Sequence, residues 1–397
     1  VSGSYNSTVT VTIECGFGED VFDTTITWTE ITSVVREFNI QRGRSRVLDQ
    51  MGAGTATLVV NNSTGNFNPW NTAGAYSPNV RVNTPIRIRA TYNAVTYDLF
   101  RGFVQSWEVR AITGGFDPHV VIEAVDAFTI LAMVEEELTE SAEASGTRIG
   151  NLLDTAGWPA AWRDIDTGNH NVQALTAEFD GVLNQINRAV LVEQGLFWIA
   201  ADGDATFRDG NTRIQDKAAS SGTFSDDGAD NPYYDLKLAY DTTQLWNDAS
   251  VTRVDGVAQT STDATSVGDY GTRALHLSET LHVADGESLA LADWLVMENK
   301  DVRVRATQLV LVPEHSPSTL WPHALGREFL DRVNIERTDI TGDDFDDDCH
   351  IEGVSHEVRM VGGRSWTTTF QLSPKLPFSD FWILGTSALG TDTRLGY

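Results

Sequence analysis

The chain has 397 residues, enough for roughly two to four domains, with 56 acidic against 28 basic side chains and a formal charge of −28. That balance excludes wrapping or scanning of nucleic acid, which needs a cationic surface to replace phosphate counterions, and adhesion to anionic membranes. Hydrophobic residues make up 41%, including 17 Phe and 11 Trp, so disorder does not follow, and two cysteines exclude a disulfide scaffold.

The first third reads as antiparallel β-structure. Ser7–Glu14 alternates Thr with Val or Ile, Arg36–Gln41 puts Phe38 and Ile40 on one face, and Thr55–Val60 is a β-branched run. Ile86–Arg89 alternates strictly, Tyr92–Tyr97 forms two short strands around a turn, and Phe103–Val109 and His119–Ala124 complete the set. Turn chemistry at Asn61–Asn66 and Gly114-Gly115 separates them. Many short strands punctuated in this way predict a barrel or sandwich.

From about Ala127 the pattern changes. A helix is predicted over Ser145–Ala156, opened by a Ser cap, with Ile149, Leu152 and Leu153 on one face. A second spans Thr176–Glu193 with Phe179, Leu183, Ile186 and Val190 at helical spacing and Gly195 as its stop. Leu196–Ile199 and Ala205–Arg208 form a hairpin around Asp202-Gly203-Asp204. The polar stretch Asp209–Asn231 reads as a linker. Strands resume at Tyr234–Tyr240 and Asp248–Val254; Glu287–Glu298 and Leu320–Phe329 are helical. Arg303–Leu311, Arg332–Arg337, His350–Met360 and Trp366–Leu372 are strands.

Two segments look alike. Arg87–Val125 and Arg332–Leu372 each run strand, polar connection, long strand with an internal glycine (Gly102, Gly353), glycine-bearing turn and final strand. Duplication of a β unit is the reading with structural content; the recurrence of glycine-bearing hairpins in β proteins gives the alternative.

The residues that carry chemistry are sparse. The run Asp343-Asp344-Phe345-Asp346-Asp347-Asp348 is too continuous for a calcium loop, which alternates its oxygens, and is expected at a solvated hairpin tip. His350 and His356, with Cys349 and Glu357 nearby, imitate zinc ligands but lack a paired His-Glu-x-x-His or Cys-x-x-Cys motif. Cys15 has no cysteine-hydrolase signature, and neither a Gly-x-Ser-x-Gly elbow nor a phosphate-binding loop is present. No catalytic residue, metal or cofactor is therefore assigned, and no enzyme activity is expected. Trp107, Trp198 and Trp366 are expected in the core; Trp158 and Trp162, flanking Pro159, either cap the α/β module or meet a neighbour. No apolar run reaches the roughly 18 residues of a membrane span, and Val1–Tyr5 lacks the basic segment and apolar core of a signal peptide. Arginine dominates the cations, with lysine only at 217, 237, 300 and 375; this suits desolvated assembly contacts and equally follows from a high-GC genome.

The stretches Phe38–Arg46, Gly52–Leu58, Gly65–Pro69, Pro85–Arg89 and Leu99–Gly102, with the close Trp382–Gly385 and Thr393–Tyr397, resemble minor tail proteins of long-tailed actinobacteriophages. The order of barrel, α/β insert and second barrel is similar to the tail-tip hub family, itself similar to the baseplate hub of contractile-tailed phages. The resemblance implies a mainly β protein with two similar barrels: the first over 1–127, an α/β insertion over 128–215 and a linker over 216–231. The second follows over 232–373 with a helical insertion around 285–330, then a docking tail over 374–397.

It further implies a homotrimer in the virion tail tip, assembled in the host cytoplasm. Its partners would be the distal tail protein, the tape measure protein and other minor tail proteins, without sequence-specific nucleic-acid binding or membrane insertion. Three copies of two units would match a six-fold tube and enclose a DNA-exit channel; the alternatives are a hexameric distal tail protein or a receptor-binding, carbohydrate-binding module. Carboxylates lining such a duct would repel DNA over about 8–10 Å, although the same charge also serves solubility. In the tail, Phe378, Phe381, Trp382, Ile383, Leu384 and Tyr397 follow Pro374 and Pro377 and are too few for a core, which makes them the candidate assembly interface.

Overall fold

The computed structural model describes residues 9–47, 49–110, 117–212, 219–338 and 344–375. Seven strands occupy the first third: β1 (Thr10–Cys15), β2 (Thr29–Glu30), β3 (Val35–Gly43), β4 (Gly52–Asn61), β5 (Pro85–Tyr92), β6 (Val95–Arg110) and β7 (His119–Val125). They pair antiparallel in the order β3-β4-β7-β6-β5-β1-β2. The period of two decides their faces: Phe38 and Ile40 of β3 and Ala56, Leu58 and Val60 of β4 are buried in one core. Asn93 and Ala94, both in the left-handed region, close the two-residue turn between β5 and β6.

The next segment is an α/β module: α1 (Phe128–Met133), β8 (Glu135–Glu140), β9 (Glu143–Ala144), α2 (Ser145–Thr155) and β10 (Arg163–Ile165). It continues through β11 (Asn171–Val172), β12 (Leu175–Gly181), α3 (Val182–Glu193), β13 (Leu196–Ile199) and β14 (Ala205–Arg208). Two details differ from the sequence reading. Thr176–Gly181 belongs to strand β12, which pairs with β8, and the helix begins only at Val182. Cross-strand pairing has overridden the apolar spacing there, with Gly181 the extended residue at the switch. Ser145 is the first helical residue rather than the cap: its hydroxyl donates to Glu193 Oε1 at 2.6 Å.

The second half begins with β15 (Thr223–Ser225), β16 (Asn231–Pro232) and β17 (Asp235–Ala239). The expected linker over 216–231 is thus partly sheet, because β15 pairs parallel with a later strand and Phe224 is fully buried. A further module follows: β18 (Asp248–Arg253), β19 (Gln259–Thr262), α4 (Ala264–Tyr270), β20 (Ala274–Thr280) and α5 (Asp285–Asn299). Its sheet, ordered β19-β18-β20, packs on α5 through Ala249, Val251, Leu291 and Leu295, a core of its own. Glu287 Oε2 reaches back to accept from Val283 N and Ala284 N, which starts α5. Within the expected helical insertion around 285–330, α5 closes this α/β module, a strand follows as the sequence reading placed it, and a further helix comes after.

The remaining elements are β21 (Arg305–Leu311), α6 (Pro317–Gly326), β22 (Arg332–Arg337), β23 (Phe345–Arg359) and β24 (Ser365–Pro374). Phe345–Asp348 lie in β23 paired to Arg337–Asn334, so Asp346, Asp347 and Asp348 are strand residues rather than a hairpin tip; Asp344 is exposed in the connection between the two strands, and Asp343 lies outside the described residues. The carboxylates are tolerated because that end of β23 alternates around partly exposed positions, and Asp348 pairs with Arg332.

The duplication reappears as a shared wiring. Strands β3-β4-β7-β6-β5 and β17-β21-β24-β23-β22 have the same order, the same sense and antiparallel neighbours throughout. A β-bulge marks each long strand at the corresponding place: Gln105 between Val104 and Ser106, Glu352 between Ile351 and Gly353. The row beyond it reads Trp107–Ile122–Leu58–Phe38 in the first sheet and Val354–Phe370–Leu309–Leu236 in the second. No closed barrel forms among the described residues. Instead β3 pairs with β23, and the two units merge into one sheet of 14 strands.

Candidate functional site

The place where the two units meet is the most heavily built part of the molecule. Beyond the Glu352 bulge, β23 runs antiparallel to β3 from Gly353 opposite Gly43 to Arg359 opposite Glu37. Gly43 has φ +96, and a Cβ there would sit 2.6 Å from Gly353 Cα and 2.7 Å from Phe329 Cε1, so only glycine permits this approach.

Ion pairs tie the join. Arg44 Nε donates to Glu352 Oε2 at 2.7 Å with the carboxylate fully buried, and Ser373 Oγ donates to Glu352 Oε1 at 2.6 Å. Arg42 Nη2 donates to both oxygens of Glu328, at 3.1 and 2.9 Å, and its guanidinium lies 5.0 Å from the Phe329 ring centre. Such pairs hold a unique arrangement because removing one partner strands the other charge in a dry site. Nearby, Asp126 accepts from Gly54 N at 2.6 Å and from Phe128 N at 2.9 Å. Burial nevertheless pushes its carboxyl up to about 7.

Apolar contacts cross the same boundary. Trp321 of α6 and Trp366 of β24 join the core of the first sheet, 5.2 Å apart edge to face, with Phe38 meeting Trp366 at 6.0 Å. His356 is buried beside them, its Nδ1 3.1 Å from Thr368 Oγ1, and burial drives its pKa down to about 3, so the ring is neutral. Below the join lies a cavity of about 250 Å³ lined by residues that include Arg42, Asp98, Arg327, Glu328 and His356. Two arginines balance two carboxylates there, beside Thr96 and Tyr97.

The sequence-predicted positions fall as follows. Phe378, Phe381, Trp382, Ile383, Leu384 and Tyr397 lie outside the described residues. Cys15 and Cys349 are free, buried in different cores, with burial raising both thiols far from reactivity. His350 is buried against Leu330 O at 3.0 Å, and no group of three metal-ligating side chains occurs among the described residues. Asp202-Gly203-Asp204 is a turn, Gly203 at φ +97 lying under the Arg101 side chain. Trp158 and Trp162 resolve their alternative by doing both. They pack edge to face at 5.6 Å inside the module, while Phe22 and Arg101 of the first unit cover them. Sequence reading missed Glu352, Glu328, Arg42 and Arg44 as a set; their partners are separated by roughly 290–310 residues, so no local signal marks them.

No family model matches the chain, and no curated protein matches it in sequence. Solved structures do. The tail protein from Neisseria meningitidis MC58 aligns over 91% of this chain and 96% of its own, with a TM-score of 0.59 at 10% identity. The 43 kDa tail protein of prophage MuSo2 from Shewanella oneidensis aligns over 92% and 99%, with a TM-score of 0.55 at 11% identity. What the chain shares with both is the fold. The likeness spans nearly the whole of this chain and of each neighbour.

Proposed function

We propose that this chain is a structural protein of a phage tail tip: a hub ring of three copies that joins the six-fold tube to three-fold tip proteins and encloses the DNA-exit channel. One observation carries the reading. Each chain contains two units of identical strand order with their bulges in register, so three chains offer six quasi-equivalent units. The fold likeness to a prophage tail protein and the resemblance to actinobacteriophage tail-tip proteins support it. The net charge of −28 suits a duct that releases phosphate rather than binding it. In this reading the partners are a distal tail protein above and tip proteins below, the residues after 374 dock on a neighbour, and no bond-making chemistry is assigned.

Light scattering of the purified chain tests it. A ring gives about 130 kDa, three times 43.5 kDa, and gold labelling places it at the tail tip with three-fold symmetry. A six-copy mass reverts the reading to the distal ring protein, and a monomer that retains bound glycan reverts it to a receptor-binding module.

A further inference from the structure

The duplication is complete in wiring and incomplete in partnership. In the first unit the outer edge of β3 is covered by β23. Its counterpart in the second unit, β17, pairs with β21 on one side and with no described strand on the other. Conversely, the stretch of β23 beyond its bulge pairs with β3, whereas the corresponding stretch of β6, Ser106–Arg110, has β7 on one side and no described backbone partner on the other. Among the described residues, the two edges left open are the ones that correspond to an interface the chain already makes internally.

We propose that β17 of one copy pairs antiparallel with Ser106–Arg110 of a second copy, repeating between chains the join that β3 and β23 make within one. This rests on reading the chain as ring-forming. The register follows from the bulges, which align Trp107 with Val354 and Phe38 with Leu236. Transferring the internal pairs Ser355–Gln41 and His356–Ile40 sets Glu108 opposite Ala239 and Val109 opposite Leu238.

Two observations favour a second copy as the occupant. The new contact continues an interface whose geometry the chain already satisfies. Tyr234 and Tyr240 flank β17 at 65% and 68% exposure, the residue type that anchors interfaces. Because the two edges differ, the contact is head-to-tail rather than two-fold, and it closes a ring when its rotation returns to the first copy.

Cysteine pairing on the solvent face tests it in the full chain, where Cys15 and Cys349 are too buried to interfere. Glu108→Cys and Ala239→Cys are made separately, checked for an unchanged melt, mixed and oxidised. A covalent dimer is expected from the mixture and none from either alone. The double variant Glu108→Cys/Ala239→Cys gives a ladder ending at the ring size. The pair Glu108→Cys with Leu238→Cys, on opposite faces, cross-links about tenfold less. An oligomer by light scattering with no cross-link overturns the strand pairing and leaves the ring. Cross-linked chains that lengthen without closing keep the pairing and overturn the ring. A monomer without cross-links overturns both.

Discussion

The two sheet units share their wiring and differ in what surrounds it. In the first, β3 and β4 are joined by the short connection 44–51; in the second, the corresponding β17 and β21 are separated by the module of β18–β20 and its two helices. In the first, the bulge residue Gln105 is exposed; in the second, Glu352 is fully buried and bonded to Arg44 and Ser373. One position of a repeated scaffold has become structural because a neighbouring edge arrived, and its twin has not. A repeat therefore fixes the ladder of strands and leaves burial to whatever docks on it.

The sharpest break of this comparison is Glu352→Ala. It strands Arg44 beside a dry site and is expected to cost about 3–5 kcal/mol in urea unfolding. The matched Gln105→Ala should stay within about 0.5 kcal/mol. Next is Gly43→Ala, where a Cβ meets the β23 backbone at positive φ; a loss of about 3 kcal/mol is expected from the same measurement.

A smaller effect separates the units by pH. His356, at about 3 when folded and near 6.5 when unfolded, costs stability as pH falls, because the unfolded chain takes up the proton first. Asp126, raised to about 7, acts in the opposite sense and adds stability as pH falls from 7 toward 3.8. Melts of His356→Leu between pH 6.5 and 5 should therefore gain on the wild type by on the order of 2 kcal/mol. Least of all, Trp70→Ala, at a residue 69% exposed in the 62–84 connection, should shift stability by less than about 0.5 kcal/mol.

Much of the architecture was legible because alternation in Arg36–Gln41, Thr55–Val60 and Ile86–Arg89 is a direct record of one buried face. The likeness of Arg87–Val125 to Arg332–Leu372 lay in the order of their strands; the glycines do not correspond, since the bulges set Gly353 against Ser106 and Gly102 against Cys349. What stayed hidden depends on partners distant in sequence. Cys349–Val354 is buried on both faces, so its alternation vanishes and Glu352 reads as a surface carboxylate. The module over 248–299 was seen only as a strand and a helix, since Gln259–Thr262 is polar and α4 is short. Thr176–Gly181 carried helical spacing and joined a strand because β8 was there to receive it. The join itself, the candidate site, left no mark beyond isolated arginines.

The module over 248–299 closes its own apolar core, and Trp246 N bonds to Asn299 O at 2.9 Å where the chain leaves and returns. Entrance and exit thus form one doorway at the end of β17. A second anchorage lies on the first module, where Gln173 N bonds to Leu281 O at 2.8 Å and Arg188 Nη2 to Glu279 O at 2.9 Å. Cutting the cassette back to a turn like 44–51 would leave the strands beneath it in place and undo that contact. The module is in that sense a fitting, and the ladder of strands is its rail.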